Sequence, residues 1–332
     1  MKYRGLFHIH YHIIPFFDIN NQRLKKRIKK YLRFFKKNNI VVADFVWHSH
    51  LFCSNPNLGP KQISYYKLSL SPLEIFKLVK KEAAEIGITL LPSLEVSCAI
   101  KTEKGEKIAD ILVMHENEDI LYGSNLMNDP YFPFEKFWSE APKDSVIVIA
   151  HPWRFGSGLA YHIGAEKTNE IILKYNALAE YNGWAYPWYH LLNKIFSWLP
   201  ITKRIGFFEN FWLLAKKSIE LGELKNYIPF WGTDIHAPHF LPDAAGFVEF
   251  DIEGELSAKK ILETIKERKI VPVIPKKINF FKGMAWILIN LLAVFKDEII
   301  LEKMIKLKLC KKKNKKNKVS PKGSLSFLKS IP

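Results

Sequence analysis

The sequence is poor in cysteine and in long apolar runs. Its three cysteines, Cys53, Cys98 and Cys310, lie far apart among 332 residues and form no Cys-x-x-Cys pair. Neither a disulfide framework nor a cysteine-based zinc motif is indicated, so a reducing cytoplasm is the simplest expected location. The apolar run at residues 283–295 is interrupted by Asn290, and it is too short for a membrane-spanning helix, which needs about 20 residues. The first ten residues lack the apolar core of a signal peptide.

Acidic residues are scarce in two segments, and these segments account for the net charge of +17. Residues 269–332 hold 16 lysines and three acids, and residues 21–40 hold nine basic residues and no acid. The rest of the chain therefore has a slight acidic excess. Basic segments of this kind are typical of solvated helix faces and disordered tails, but they also bind nucleic acid or anionic membrane surfaces. Both interpretations stay open for residues 21–40 and 303–322. If these segments bind a membrane surface, the expected location is peripheral to the membrane.

The rest of the chain alternates between apolar strand-like runs and helical segments. Hydrophobic residues make up 48% of the chain, enough for one large α/β core. Strands are predicted at 3–9, 40–47, 88–92, 108–114, 145–150, 177–181 and 229–231, and helices at 22–38, 74–86, 134–140, 166–175, 207–221 and 257–268. Ser71, Pro72 and Glu74 form a helix start with a capping box. Strands that alternate with helices predict a parallel sheet.

Histidines mark the end of the first strand. In the run from Gly5 to His12, His8, His10 and His12 alternate with apolar or aromatic residues. On a strand they would share one face, with Phe7 and Ile9 on the other. Such a strand is either part of a metal site or a surface strand that happens to contain histidines.

Most of the other predicted strands also lead into residues that can bind metal. Since the C-terminal strand ends of such barrels form one face, we expect these side chains to meet. They are His8, His10, His50, Glu95, His115, His151, Asp234 and His236. Asp110 is an alternative to His115 on the fourth strand. These candidate ligands are more than one tetrahedral ion can bind. The sequence therefore predicts two or three divalent ions, of manganese, zinc or iron, with magnesium possible.

These motifs resemble, in order, those of the PHP (polymerase and histidinol phosphatase) family of metal-dependent phosphoesterases, over residues 5–268. The matching elements are His8-Ile9-His10, His48-Ser49-His50, Ser93-Leu94-Glu95, Met114-His115-Glu116, Ala150-His151-Pro152, Glu180-Tyr181-Asn182-Gly183 and Gly232-Thr233-Asp234-Ile235-His236. The resemblance implies a distorted (β/α)7 TIM-like barrel with a trinuclear metal centre, bridged by Glu95. It also implies that the chain hydrolyses a phosphorylated small molecule or a nucleotide.

The chain departs from the family pattern at two positions. Leu6 and Ser49 stand where the family has aspartate. Loss of a residue that orients metal ligands commonly weakens a metal site. His12 or His48 could compensate.

Three further residues are candidates for catalysis. Arg154 follows the Ala150-His151-Pro152 motif, and its planar guanidinium could clamp a phosphate or simply form a surface salt bridge. His12 or His239 could protonate the leaving group.

Two other functions compete with the phosphoesterase. One is an amidohydrolase-type metal hydrolase, although those sites usually end in a lone aspartate. The other is a catalytically impaired barrel that binds nucleic acid or a membrane surface through its basic segments. The expected domains are a barrel at 1–275, an apolar and amphipathic helical extension at 276–310 and a lysine-rich disordered tail at 311–332. The aromatic segment 184–200 is expected to be a packed excursion, with a lid or a membrane-facing patch as alternatives.

Overall fold

Seven segments rich in aliphatic and aromatic residues form the strands of a closed barrel. A computed structural model of the chain describes residues 2–10, 19–49, 66–67, 71–127, 131–154, 156–182, 185–198, 209–210, 212–217, 229–235, 246–273 and 281. The barrel strands are β1 (Lys2–Ile9), β2 (Val42–His48), β3 (Thr89–Thr102), β4 (Gly105–Met114), β5 (Val146–Ile149), β6 (Leu178–Asn182) and β7 (Pro229–Ile235). Each pairs with the next, and β7 pairs with β1. The predicted seven-stranded α/β barrel is confirmed.

One strand of the barrel runs against the other six. β4 is antiparallel to both β3 and β5, whereas the remaining neighbours are parallel. Only Glu103 and Lys104 separate β3 from β4. A connection this short permits only an antiparallel hairpin, since a parallel pair needs a crossover of about a dozen residues. The prediction of a wholly parallel sheet therefore fails at β4, and both hairpin strands are longer than predicted.

Helices connect most of the parallel strands. α1 (Asn21–Lys37) links β1 to β2, and α2 (Pro72–Ala84) precedes β3. The predicted capping box at the start of α2 is present, with Ser71 N–H donating to Glu74 at 2.7 Å. The other helices are α3 (Glu118–Tyr122), α4 (Phe134–Glu140), α5 (Leu159–Ile163), α6 (Ala165–Tyr175), α7 (Ala185–Trp198) and α8 (Ala258–Lys266). The predicted helix at 207–221 is described only at 209–210 and 212–217, which are helical.

Two apolar clusters lie on either side of the barrel wall. The outer cluster joins Leu6 and Ile9 of β1 to α1 and α2. The inner cluster includes Phe7 and Trp231 and extends to α8. β1 therefore turns Leu6 and Ile9 towards the helices and Phe7 into the barrel. This differs from the prediction that Phe7 and Ile9 share a face.

Two strands that the sequence did not predict extend the sheet outside the barrel. β8 (Phe247–Asp251) pairs antiparallel with the first half of β1, and β9 (Ile270–Val273) pairs antiparallel with β8. Shorter strands lie at Ile19–Asn20, Tyr66–Lys67 and Phe132–Pro133.

The aromatic segment 184–200 contributes α7, with Leu191, Leu192 and Phe196 buried against the protein and Trp198 exposed. Within the described part of the chain, no helix is long and apolar enough to span a bilayer. The apolar run 283–295 and the lysine-rich tail lie outside the described residues, so the proposed division of the C-terminal region stays a prediction.

Candidate metal centre

The end of β1 delivers two buried histidines to the barrel mouth. The pairing of β1 with β7 shifts register between Phe7 and Ile9, and His8 has a left-handed backbone with φ +59°. Its Nδ1–H donates to Glu180 Oε1 at 2.5 Å, and its main-chain N–H donates to Asp44 Oδ1 at 2.6 Å. The ring of His10 lies beside that of His8, with the centroids 4.9 Å apart.

The carboxylate of Glu95 stands at the centre of the cluster, and its two oxygens face different histidines. Oε1 lies 3.0 Å from His151 Nε2 and 3.4 Å from His8 Nε2. Oε2 lies 2.8 Å from His48 Nδ1 and 3.4 Å from His10 Nε2. β3 continues beyond the position expected for its end, so Glu95 projects from mid-strand. Each oxygen of this carboxylate therefore has its own set of histidine partners.

β4 and the turn after β5 supply the next two members. Asp110 lies midway along β4, where its Oδ1 accepts from the Ser97 hydroxyl at 2.8 Å. Its Oδ2 lies 3.8 Å from His151 Nε2. The main-chain N–H of His151 donates to Glu180 Oε2 at 2.7 Å. Glu180 therefore holds both His8 and His151, one with each oxygen.

β7 brings Asp234 to the same place. Its Oδ1 lies 3.2 Å from His10 Nε2, and its Oδ2 lies 3.3 Å from Arg154 Nη1. The neighbouring Thr233 hydroxyl donates to the carbonyl oxygen of Phe7 at 2.9 Å and so ties β7 to β1. Gly232 lies against Glu180, because a Cβ added there would stand 1.5 Å from Glu180 Oε1.

Three overlapping groups of these side chains can hold a metal ion. They are His8, His151 and Asp234; His8, His10 and Glu95; and Glu95, Asp110 and His151, each with ligand atoms within 4.8 Å of one another. All are buried, and His8 Nε2 makes no hydrogen bond of normal geometry among the described residues. Imidazole and carboxylate donors suit divalent metal ions, and a ligand histidine usually gives its other ring N–H to a carboxylate, as His8 does to Glu180. The residues present therefore fit such ions.

Burial and charge oppose each other in this cluster. Burial disfavours ionisation of Glu95, but His48 and His8 outweigh it and hold its pKa well below the usual value. Burial likewise opposes protonation of His8, yet Glu180 and Glu95 raise the pKa of His8 well above its usual value. For Asp110, burial and the charge of Glu95 both raise the pKa. The cluster holds buried carboxylates whose charge a bound cation would balance.

Three members of the cluster have unusual backbone conformations. His8, His151 and Asp234 have φ values of +59°, +27° and +46°. Residues other than glycine seldom occupy this region, and such strain concentrates at functional sites. Each of the three lies where a barrel strand ends or the turn after it begins, so the strained backbone helps to aim its side chain.

Not every residue predicted for the site lies in the described cluster. His8, His10, Glu95, His151 and Asp234 come together, and Arg154 lies at their edge, 6% exposed.

His115 lies apart from the cluster, with its ring nitrogens 3.1 Å from the carbonyl oxygens of Asn117 and Lys143. Because β4 is reversed, its C-terminal end points away from the site and Asp110 takes the place expected for His115. His12, His50, His236 and His239 lie outside the described residues.

Three residues at the site were missing from the predicted set. Asp44 is an acid inside an otherwise apolar strand, which is a signal that sequence reasoning can use. Glu180 stands in the Glu-Tyr-Asn-Gly element, which matches a family motif but carries no predicted role in the site. The sequence offers His48 only as a substitute for a missing aspartate, yet its ring stacks on that of His10 with the centroids 4.5 Å apart.

The fold and the cluster together define an α/β barrel with a candidate metal centre at the C-terminal ends of its parallel strands. No family model and no curated protein matches the chain. Among solved structures, it is similar to a two-domain protein from Bacteroides vulgatus ATCC 8482 that contains a predicted PHP-like metal-dependent phosphoesterase. The two share 13% identity with a TM-score of 0.51, over 83% of this chain and 65% of that one. The chain thus spans just under two thirds of that protein, and the likeness is one of fold.

Proposed function

We propose that this protein is a metal-dependent phosphoesterase of the PHP type. The main support is the position of Glu95, whose two oxygens face separate histidine sets and which belongs to two of the three overlapping ligand groups. That arrangement suits two or three closely spaced ions. The fold likeness to a protein with a predicted PHP-like phosphoesterase and the order of the sequence motifs add to it.

The ligand set narrows the choice of metal. It contains imidazole and carboxylate donors, and its described members include no thiolate. Manganese, zinc and iron suit these donors, and the carboxylates among them also suit magnesium. Clustered ions of this kind lower the pKa of bound water and stabilise charge on phosphoryl oxygens. His50 and His236 complete the proposed ligand set from segments outside the described residues.

The chain's own residues have distinct tasks in the proposed reaction. Glu180 fixes the orientation of the His8 ring and the backbone at His151. Arg154 places a buried positive charge 3.3 Å from Asp234, where its guanidinium can bind two phosphoryl oxygens of a substrate. His12 or His239 would give a proton to the leaving alcohol. The substrate is a phosphomonoester or a nucleotide.

The direct test combines metal analysis with an activity panel. Purified protein is analysed for bound metal and then assayed with added Mn²⁺ on phosphomonoesters, short oligonucleotides and amide or deaminase substrates. We expect metal to co-purify, hydrolysis of a phosphate ester, and loss of both in His8→Ala and Asp234→Asn. His162→Ala is the matched control, because His162 bonds to the carbonyl oxygen of Gly156 and belongs to no ligand group.

The alternatives give different results. Turnover of only carbon–nitrogen substrates would favour the amidohydrolase. A protein that binds no metal, with both variants unchanged, would overturn the enzyme proposal.

A further inference from the structure

α1 has one apolar side and one strongly basic side. Its apolar residues Leu24, Ile28, Tyr31, Leu32 and Phe35 are buried in the outer core cluster. The opposite side exposes the residues that we call the basic face: Lys25, Lys26, Lys29, Arg33, Lys36 and Lys37. At 3.6 residues per turn these six fall within an arc of about 120°. They form a single surface that points away from the barrel.

The charge of the basic face is not neutralised by neighbours within the described residues. None of its six cations forms an ion pair there, and α1 itself contains no acid. Two lysines of α2, by contrast, have acidic partners. On α2, Lys77 lies 2.7 Å from Asp119 and Lys80 lies 2.9 Å from Glu118. The basic face is therefore a local excess of positive charge on a chain whose remainder, outside the C-terminal region, has more acids than bases.

We propose that the basic face of α1 binds the phosphate backbone of a nucleic acid. From Lys25 to Lys37 the helix rises about 18 Å. Six cations over that length give roughly one charge every 3–4 Å, which is close to the phosphate spacing of about 3.4 Å along one strand of a duplex. Contacts of this kind depend on charge and not on base sequence.

The packing of α1 argues against a membrane as the partner. Helices that lie in a membrane interface insert an apolar face among the lipids. The apolar side of α1 is already buried in the protein, and Phe34 is half-buried against the same cluster. The basic face offers charge alone.

The position of α1 is compatible with the candidate metal centre. α1 follows β1, which ends at that centre, so a nucleic acid bound along the basic face would extend along the outside of the barrel, starting near the centre.

The test measures binding without turnover, so it does not depend on the proposed phosphoesterase activity. The full chain is titrated in chelator against a labelled DNA duplex of about 20 base pairs, with fluorescence anisotropy as the readout. The variant is Lys25→Gln/Lys26→Gln/Lys29→Gln/Arg33→Gln. The matched control is Lys104→Gln/Lys136→Gln/Lys167→Gln/Lys259→Gln, which removes the same charge from exposed positions elsewhere. Both retain the lysine-rich tail, so its contribution cancels, and thermal melts verify their folding.

We expect the α1 variant to bind at least about tenfold more weakly than the control at low salt. Its plot of log affinity against log salt should be shallower by about 3.6, because four phosphate contacts are lost at about 0.9 each. Equal binding by variant and control, or no binding by the wild-type chain, would overturn the proposal. So would a result in which the variant loses affinity only for vesicles containing anionic phosphatidylserine and keeps its affinity for the oligonucleotide.

Discussion

The main-chain N–H of His8 donates a 2.6 Å hydrogen bond to Oδ1 of Asp44 on the neighbouring strand. His8 has a left-handed backbone that non-glycine residues seldom adopt, so this bond supports a strained conformation at the candidate metal centre. In the PHP motif that His8-Ile9-His10 resembles, an aspartate stands two residues before the first histidine, whereas here Leu6 has that position and packs in the outer core. Asp44 of β2 thus places a carboxylate next to His8, where β1 itself has none.

Replacing Asp44 should weaken metal binding through His8. Asp44→Leu removes the acceptor, and we expect metal affinity to fall by about 10- to 100-fold, as is usual when a residue that positions a ligand is lost. Asp44→Asn keeps an acceptor oxygen and should retain most of the affinity. Calorimetric titration of Mn²⁺ or Zn²⁺ into the metal-free proteins measures both. If Asp44→Leu folds and binds as wild type does, Asp44 has no positioning role.

Asp44 should also make the stability of the metal-free protein depend on pH. Burial raises the pKa of its carboxyl from 3.8 to about 7. The folded state therefore holds this proton more tightly than the unfolded state, and the stability it provides is lost as pH rises from about 4 to 7. Relative to wild type, Asp44→Asn should gain unfolding free energy across that window, by at most about 4 kcal/mol. Urea denaturation in chelator at a series of pH values measures the difference, and a pH-independent difference would contradict the assignment.

His48 and His115 should respond differently to the same substitution. His48 Nδ1 lies 2.8 Å from Glu95 Oε2, so His48→Gln should reduce bound metal. His115 lies apart, against the carbonyl oxygens of Asn117 and Lys143. His115→Gln should leave metal content unchanged and cost about 1 kcal/mol of stability from its hydrogen bonds. Elemental analysis of the two purified variants measures their bound metal. A loss of metal in His115→Gln but not in His48→Gln would place His115 at the site.

The sequence predicts the site residues that lie at the ends of strands. His8, His151 and Asp234 each come at or just after the end of a strand that alternates with helices, and parallel strands bring such ends to one face. Asp110 could not be predicted with the same certainty, because its position depends on the direction of β4. That direction follows from the hairpin turn at Glu103 and Lys104, which lies within a polar stretch resembling any surface loop.

Residues that reach the site from inside a strand were harder to find. Asp44 acts on His8 from the neighbouring strand β2, and Glu180 acts on it from β6, far along the chain. Which strands become neighbours is set by long-range pairing, and local pattern carries little information about it. The buried acids themselves were the available signal, since acidic side chains are rarely buried without a partner.

The contact between Gly232 and Glu180 can be tested by a double-mutant cycle. A Cβ at position 232 would collide with the Glu180 carboxylate, so Gly232→Ala should displace that side chain and lower both stability and bound metal. Glu180→Ala removes the colliding group, and in its background Gly232→Ala should cost much less stability. Thermal unfolding of the four proteins in chelator gives the coupling. Additive effects would show that the collision does not cause the loss.

Arg154 should contribute more to binding of the substrate phosphate than to binding of metal. Its guanidinium is buried beside Asp234, and a hydrogen bond to a charged group contributes about 1.5–3 kcal/mol. Arg154→Gln should therefore lower kcat/KM for a phosphomonoester by roughly 10- to 150-fold, and weaken inhibition by inorganic phosphate in parallel. Arg154→Lys keeps the charge without the planar fork and should fall between wild type and Arg154→Gln. Metal content distinguishes phosphate binding by Arg154 from support of Asp234. If Arg154→Gln loses metal as well as activity, Arg154 supports Asp234. If phosphate inhibition is unchanged in Arg154→Gln, Arg154 does not bind the substrate.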